Sequence, residues 1–141
     1  QALRQMLSVI AEGTHVSLTA DVPKISRVAG DGIITLAQMS GRPIVPIGVV
    51  SSRRIDFSSW DAASIGLPFG RVAYLAGKAI HVPRDADEAT KEAARLELET
   101  ELDRMYAEGY AALGSPYPGA ERETMIAARR QRAAEARIGG P

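Results

Sequence analysis

A chain of 141 residues with 45% hydrophobic and 24% charged content can bury one real core, and its composition excludes both disorder and collagen-like repetition. It holds no cysteine, which rules out disulfides, thiolate metal sites and cysteine nucleophiles, and no apolar run approaches the roughly 20 residues of a membrane-spanning helix. Seventeen basic residues balance seventeen acidic ones, but residues 1–84 carry nine against five, 85–110 three against nine, and 111–141 five against three.

In chain order, Leu3, Met6, Leu7 and Ile10 keep the spacing of a half-buried helix that stops at Glu12-Gly13. The helix is under way at Gln1, so the chain reads as a piece of something longer. His15 to Ala20 alternates and predicts a strand. Asp21 to Asp31 contains Pro23, two basic residues and Gly30, and reads as a loop. Gly32 to Met39 predicts a short helix capped by Asp31 and ended by Ser40-Gly41. Pro43 to Ser51 is nearly all apolar, as a strand buried on both faces would be.

Ser52 to Gly70 then reads as a long loop, and Arg71 to Val82 as a strand or strand pair interrupted at Gly77. Asp85 predicts the cap of a long helix, with Glu88 as its capping-box partner, running to about Leu113 before Pro116 and Pro118. Ala86, Ala89, Ala93 and Leu96 share one face of that helix; Leu98, Leu102, Met105, Gly109 and Leu113 share another. The two stripes are out of phase by roughly 150°, so the helix breaks near Glu97 or its halves pack against different partners. Residues 121–138 predict a basic, Ala-rich helix.

The order of elements predicts an α/β fold: a layered sheet with flanking helices, then a long C-terminal helix and a basic helical tail. The domain would span 1–113 and the linker and tail 114–141. Three or four strands are too few to bury such apolar strands, which again argues that an N-terminal portion is missing.

The stretch best suited to chemistry follows the first predicted strand, where ligand sites of open α/β sheets lie. Lys24 and Arg27 offer cations, Ser26 a hydroxyl and Asp21 a carboxylate. Gly30 to Gly32 leads into a helix N-terminus, whose free N–H groups favour anions. Together they suit a phosphate or other anionic head group, and the alternative is a solvated loop whose charges pair locally. Arg53 and Arg54, adjacent on an extended segment, point oppositely, so at most one joins that site. Trp60 reads as an interface anchor or a packing residue, His81 as an exposed strand residue, and Arg129, Arg130 and Arg132 as a solvated helix face or an anionic-lipid patch. No metal-ligand spacing occurs and no nucleic-acid partner is implied.

With Gly32-Ile33-Ile34-Thr35-Leu36-Ala37 and Gly41-Arg42-Pro43-Ile44-Val45-Pro46-Ile47 behind it, the Thr19 to Arg27 segment resembles the central part of the lysophospholipid acyltransferase superfamily. Asp21 falls where that family has Glu in its Phe-Pro-Glu-Gly-Thr-Arg-Ser block, Lys24 where it has Arg, and Pro46 on the proline of its Pro-Ile-Val-Pro strand. Ser52-Arg53-Arg54, Ser59-Trp60-Asp61, Leu67 to Arg71 and Gly77 to Ile80 further resemble a bacterial branch long catalogued as a domain of unknown function. The likeness covers about residues 1–110.

The resemblance implies an enzyme of lipid metabolism that moves an acyl group from acyl-CoA or acyl carrier protein to a lysophospholipid-like or other lipid hydroxyl, with no bound cofactor. It would work in the cytoplasm, peripheral to the inner face of the cytoplasmic membrane, with Asp21, Lys24, Ser26 and Arg27 holding the head group. The family's catalytic His and Asp, separated by four residues upstream of this block, have no counterpart here. His15 and Asp21 would lie roughly 20 Å apart on a strand, so the chain alone is expected to be inactive. The rival reading is a non-catalytic interaction or anion-binding module that forms homo-oligomers through its C-terminal helices.

Overall fold

The computed structural model describes residues 1–22, 25–57 and 63–117, and of residues 22, 25 and 26 the backbone only. Helix α1 (Ala2–Ala11) sets its half-buried stripe against the next helix, and Gly13 (φ 87°) turns the chain away from it. From Thr14 to Ala20 there is no regular structure, against the expectation of a strand at His15 to Ala20. An alternating sequence becomes a strand only beside another; here Thr14 N–H donates back to Val9 O at 3.0 Å, and the Ala20 carbonyl accepts from Gly30 N–H at 2.8 Å.

The expected loop at 21–31 is instead an antiparallel hairpin of β1 (Asp21–Val22) and β2 (Ile25–Ala29), with an irregular register after Asp21. Proline and glycine signal the turn but hide strands this short. Helix α2 (Asp31–Ser40) follows, capped by Gly30 rather than Asp31, with no side-chain cap bond, and ended by Gly41 at φ 69°.

Strand β3 (Ile47–Ser51) pairs antiparallel with β6 (Val72–Ala76), and an isolated bridge between Ile44 and Ile80 extends the pairing. Within the expected 52–70 loop lies a second hairpin, β4 (Arg54–Asp56) with β5 (Ser64–Gly66). Helix α3 (Glu88–Ala112) is capped by Asp87, whose side chain accepts from Thr90 N–H at 2.8 Å, not by Asp85. The architecture is therefore mixed α/β with small two-stranded antiparallel sheets and a long C-terminal helix. The three sheets among the described residues are separate, so the expected single layered sheet is not formed by them. The expected basic helix at 121–138 lies outside the described residues, as does Trp60.

Helix α3 runs unbroken and resolves the question of its two stripes. Leu98, Met105, Gly109 and Leu113 are buried, whereas Ala89, Ala93 and Leu96 face out. One core joins Ala29, Ile34, Ala37, Ile44, Ile80, Val82, Ala94 and Leu98; another joins Val50, Tyr110 and Leu113. Full burial of Leu98 alone stabilises by roughly 1.5–3 kcal/mol. Helix and sheet approach closely where side chains are absent: a Cβ on Gly48 would come within 3.1 Å of the Tyr106 ring, and one on Gly109 within 2.7 Å of Leu75.

Candidate cleft and its ionic end

The expectation that Pro43 to Ser51 is buried on both faces fails in a regular way. Ile44, Pro46, Gly48 and Val50 are buried, while Val45, Ile47 and Val49 are exposed. The sheet lays one face on α3 and leaves the other bare, with Ile47 64% and Tyr74 83% exposed. That bare side forms one wall of a cleft of about 1070 Å³. Residues 14–20 also line it, together with Ile33, Leu36, Leu98 and Leu102.

At one end the cleft becomes ionic. Arg27 adopts a left-handed backbone (φ 62°), uncommon for a residue with a side chain, and its N–H donates to Asp21 Oδ1 at 3.0 Å. Its guanidinium donates through Nε and Nη2 to Asp103 Oδ1, at 2.8 and 2.6 Å. The third nitrogen, Nη1, is buried without a hydrogen-bond partner among the described residues, and the Tyr117 ring lies over the guanidinium at 5.3 Å. Burial pushes the Asp21 carboxyl above its ordinary value, although the Arg27 amide and charge act the other way. Burial likewise raises the hydroxyls of Tyr106 and Tyr117.

Of the four residues expected to form a site, Asp21 and Arg27 meet at this end. Lys24 lies outside the described residues, and so does the side chain of Ser26. Neither Arg53 nor Arg54 reaches it: Arg53 donates to Pro68 O at 3.1 Å, while Arg54 binds Asp56, Ser115 and the Pro116 carbonyl. His15 and Asp21 both line the cleft, but no hydrogen bond or ion pair joins them. No three His, Asp or Glu side chains converge as metal ligands among the described residues.

The sequence reading missed what the acidic helix does. Arg95, Glu99 and Asp103, four residues apart, share the face of α3 toward β2. Glu99 and Arg95 form a buried ion pair, and they also serve both polar groups of one residue. Glu99 Oε1 accepts Ala29 N–H at 2.9 Å, and Arg95 Nη1 donates to Ala29 O at 3.3 Å. One turn on, Asp103 holds Arg27. The signal was an i, i+4, i+8 spacing of charges, overlooked because charged helix faces are ordinarily solvated.

Among the described residues no helix is long and apolar enough to cross a membrane. No protein-family model matches the chain, and no solved structure matches it. An uncharacterised protein of Rickettsia prowazekii (strain Madrid E) is 29% identical to it over 86 residues. The match takes in 60% of this chain, which spans 39% of the length of that curated relative.

Proposed function

We propose that this chain is the carboxyl-terminal part of an acyltransferase similar to the lysophospholipid acyltransferase superfamily, and that its cleft holds an amphiphilic substrate. The observation that carries the reading is the mixed lining of the cleft: apolar Val16, Leu18, Ile33, Ile47 and Leu102 stand with a charged cluster of Asp21, Arg27, Glu99 and Asp103, and Arg42 lines it as well. An acyl chain would lie against the walls and a lipid head group at the ionic end. Asp103 occupies two donors of Arg27 and so aims the guanidinium. A head group that displaced the Tyr117 ring would find Nη1 ready to donate.

The electrostatics narrow the head group. With Asp21, Glu99 and Asp103 gathered near Arg27, a dianion is opposed, so a hydroxyl-rich group suits this end better than a doubly charged phosphate would. In the whole protein the acceptor hydroxyl would give its proton to a base as the thioester C–S bond breaks, the ester C–O bond forms and the thiol leaves. The described residues show no histidine paired with a carboxylate for that step, so this chain by itself is expected to transfer no acyl group. The oligomer reading has less support, since the apolar stripe of α3 is already used within the chain.

Calorimetric titration with monolauroylglycerol and with lauroyl lysophosphatidate tests the reading. Saturable binding of the former, at least tenfold weaker in Arg27→Ala, is expected. No binding of either ligand would sink it.

A further inference from the structure

We propose that β6 is the contact strand of a symmetric dimer: its outer edge pairs antiparallel with β6 of a second copy of this chain, making one four-stranded sheet. Gly77 N–H donates to Pro46 O and Ser52 N–H to Arg71 O, both at 2.9 Å. With the constant register between them, residues 71, 73, 75 and 77 make the bonds to β3. Val72, Tyr74 and Ala76 therefore point their N–H and C=O groups the other way. The two outer edges of this sheet differ. That of β3 is in use: Val49 N–H donates to the Tyr106 hydroxyl, and the Ser51 carbonyl accepts from Arg54 Nη1 at 3.3 Å. At the edge of β6, among the described residues, no hydrogen bond engages the outward backbone groups of Val72, Tyr74 or Ala76. Of this sheet, residues of β3 line the cleft and none of β6 does. The contact lies away from the cleft, so it holds whether or not an acyl group is transferred there.

The usual protections of an edge strand are missing from β6. Residues 72–77 hold no charge and no proline, Arg71 and Lys78 lie beyond the ends, and the pairing with β3 has no bulge. Helix α3 packs more extensively on β3 than on β6, which leaves the edge uncovered. Symmetry names the occupant. Antiparallel pairing about Tyr74 sets Tyr74 opposite itself, and Val72 opposite Ala76 of the second copy, so every outward N–H of either strand meets a carbonyl of the other. The side chains agree with the backbone. Val49, Val72 and Tyr74 are each more than half exposed, and Val49 stands directly across from Tyr74. Pairing extends Val49 and Tyr74 into a row across four strands, in which β-branched and aromatic neighbours cover one another. The formal net charge is zero, so two copies are not driven apart, and a two-stranded sheet is marginal without such an addition. The apolar stripe of α3 takes no part and stays in use within each chain.

Sedimentation velocity and amide hydrogen exchange of this chain, from about 1 to about 500 µM, test the proposal. One short edge lies below the roughly 1,200 Å² of stable complexes, so a Kd on the order of 10–100 µM is expected. The amides of Val72, Tyr74 and Ala76 should exchange at least about threefold more slowly at the highest concentration than at the lowest, while the outward amide of Ile47 on the other edge stays unchanged. Tyr74→Lys keeps every backbone group but sets like charges opposite each other across the two-fold axis. It should weaken association at least about tenfold, with the Tm at the lowest concentration within about 2 °C of wild type. A monomer over the whole range, protection that grows at Ile47 instead, or a dimer that Tyr74→Lys leaves intact would each overturn the proposal.

Discussion

The two sides of the molecule treat their residues in opposite ways. Between β2, α2 and α3, even charges are taken in: Glu99, with 2% of its side chain exposed, and Arg95 are buried against Ala29. Along the cleft, Val45, Ile47 and Val49 stand in the open. Burial therefore follows which surfaces have a neighbour, not which residues are apolar. A charge with a fixed opposite charge and two backbone groups to serve is accommodated inside, while an apolar strand face without a covering layer stays out.

Breaking the buried side should cost most. Glu99→Ala orphans the buried Ala29 N–H but leaves Arg95 in its two-point pair with Glu92, so the loss is that of a buried unsatisfied donor, roughly 1–3 kcal/mol. Urea unfolding should show that loss, with Glu99→Gln losing clearly less because its amide oxygen still accepts from Ala29 N–H. Equal losses would mean that the hydrogen bond contributes nothing and that charge alone matters.

At the margin between the two sides, the effect should shrink. Arg27 and Asp103 are 24% and 30% exposed, so water screens their attraction. A double-mutant cycle with Arg27→Ala and Asp103→Ala should give a coupling of about 0.5–1 kcal/mol. A coupling near zero would remove Asp103 as the group that aims the guanidinium. On the proposed acyl-transfer reading, replacing both Lys24 and Arg27 with Ala should abolish the transfer by the parent enzyme without unfolding it; unchanged turnover would end the head-group assignment.

The same contrast explains how far the sequence could be read. Helices carry their pattern within one segment: α1, α2 and α3 fall within one or two residues of their expected ends, with the start of α3 two residues late. There Asp85 and Asp87 both offer a capping carboxylate, and only the Thr90 N–H chooses between them. Strands depend on a partner elsewhere, so the His15 to Ala20 pattern could not show that nothing described lies beside it. The hairpin strands β1, β4 and β5, of two or three residues each, are too short for alternation to register. At the site, Asp21 and Arg27 were legible from residue type and position after a strand pattern. Asp103 was not, because 76 residues separate it from Arg27.

The acidic side chains of α3 give the finest separation. Glu101 Oε1 accepts from Lys78 N–H at 2.8 Å and from Arg104 Nη2 at 2.7 Å. Arg104, and then the Lys78 amide, hold its carboxyl down at about 2 from an ordinary 4.5. A depressed carboxyl stabilises the fold above its unfolded value and loses that contribution as pH falls from about 4.5 toward 2. Asp21, raised by burial, has the opposite sign: its ionised form opposes folding, so acid relieves a cost there. Glu101→Gln should therefore flatten the fall of Tm between pH 4.5 and 2, chiefly by lowering Tm at the upper end. Asp21→Asn should steepen the fall of Tm toward acid above the ordinary carboxylate value of 3.8, by raising Tm at the upper end, and leave it unchanged below. Parallel profiles for wild type and Glu101→Gln would show that Glu101 acts by hydrogen-bond geometry alone, leaving charge decisive only where β2 meets α3.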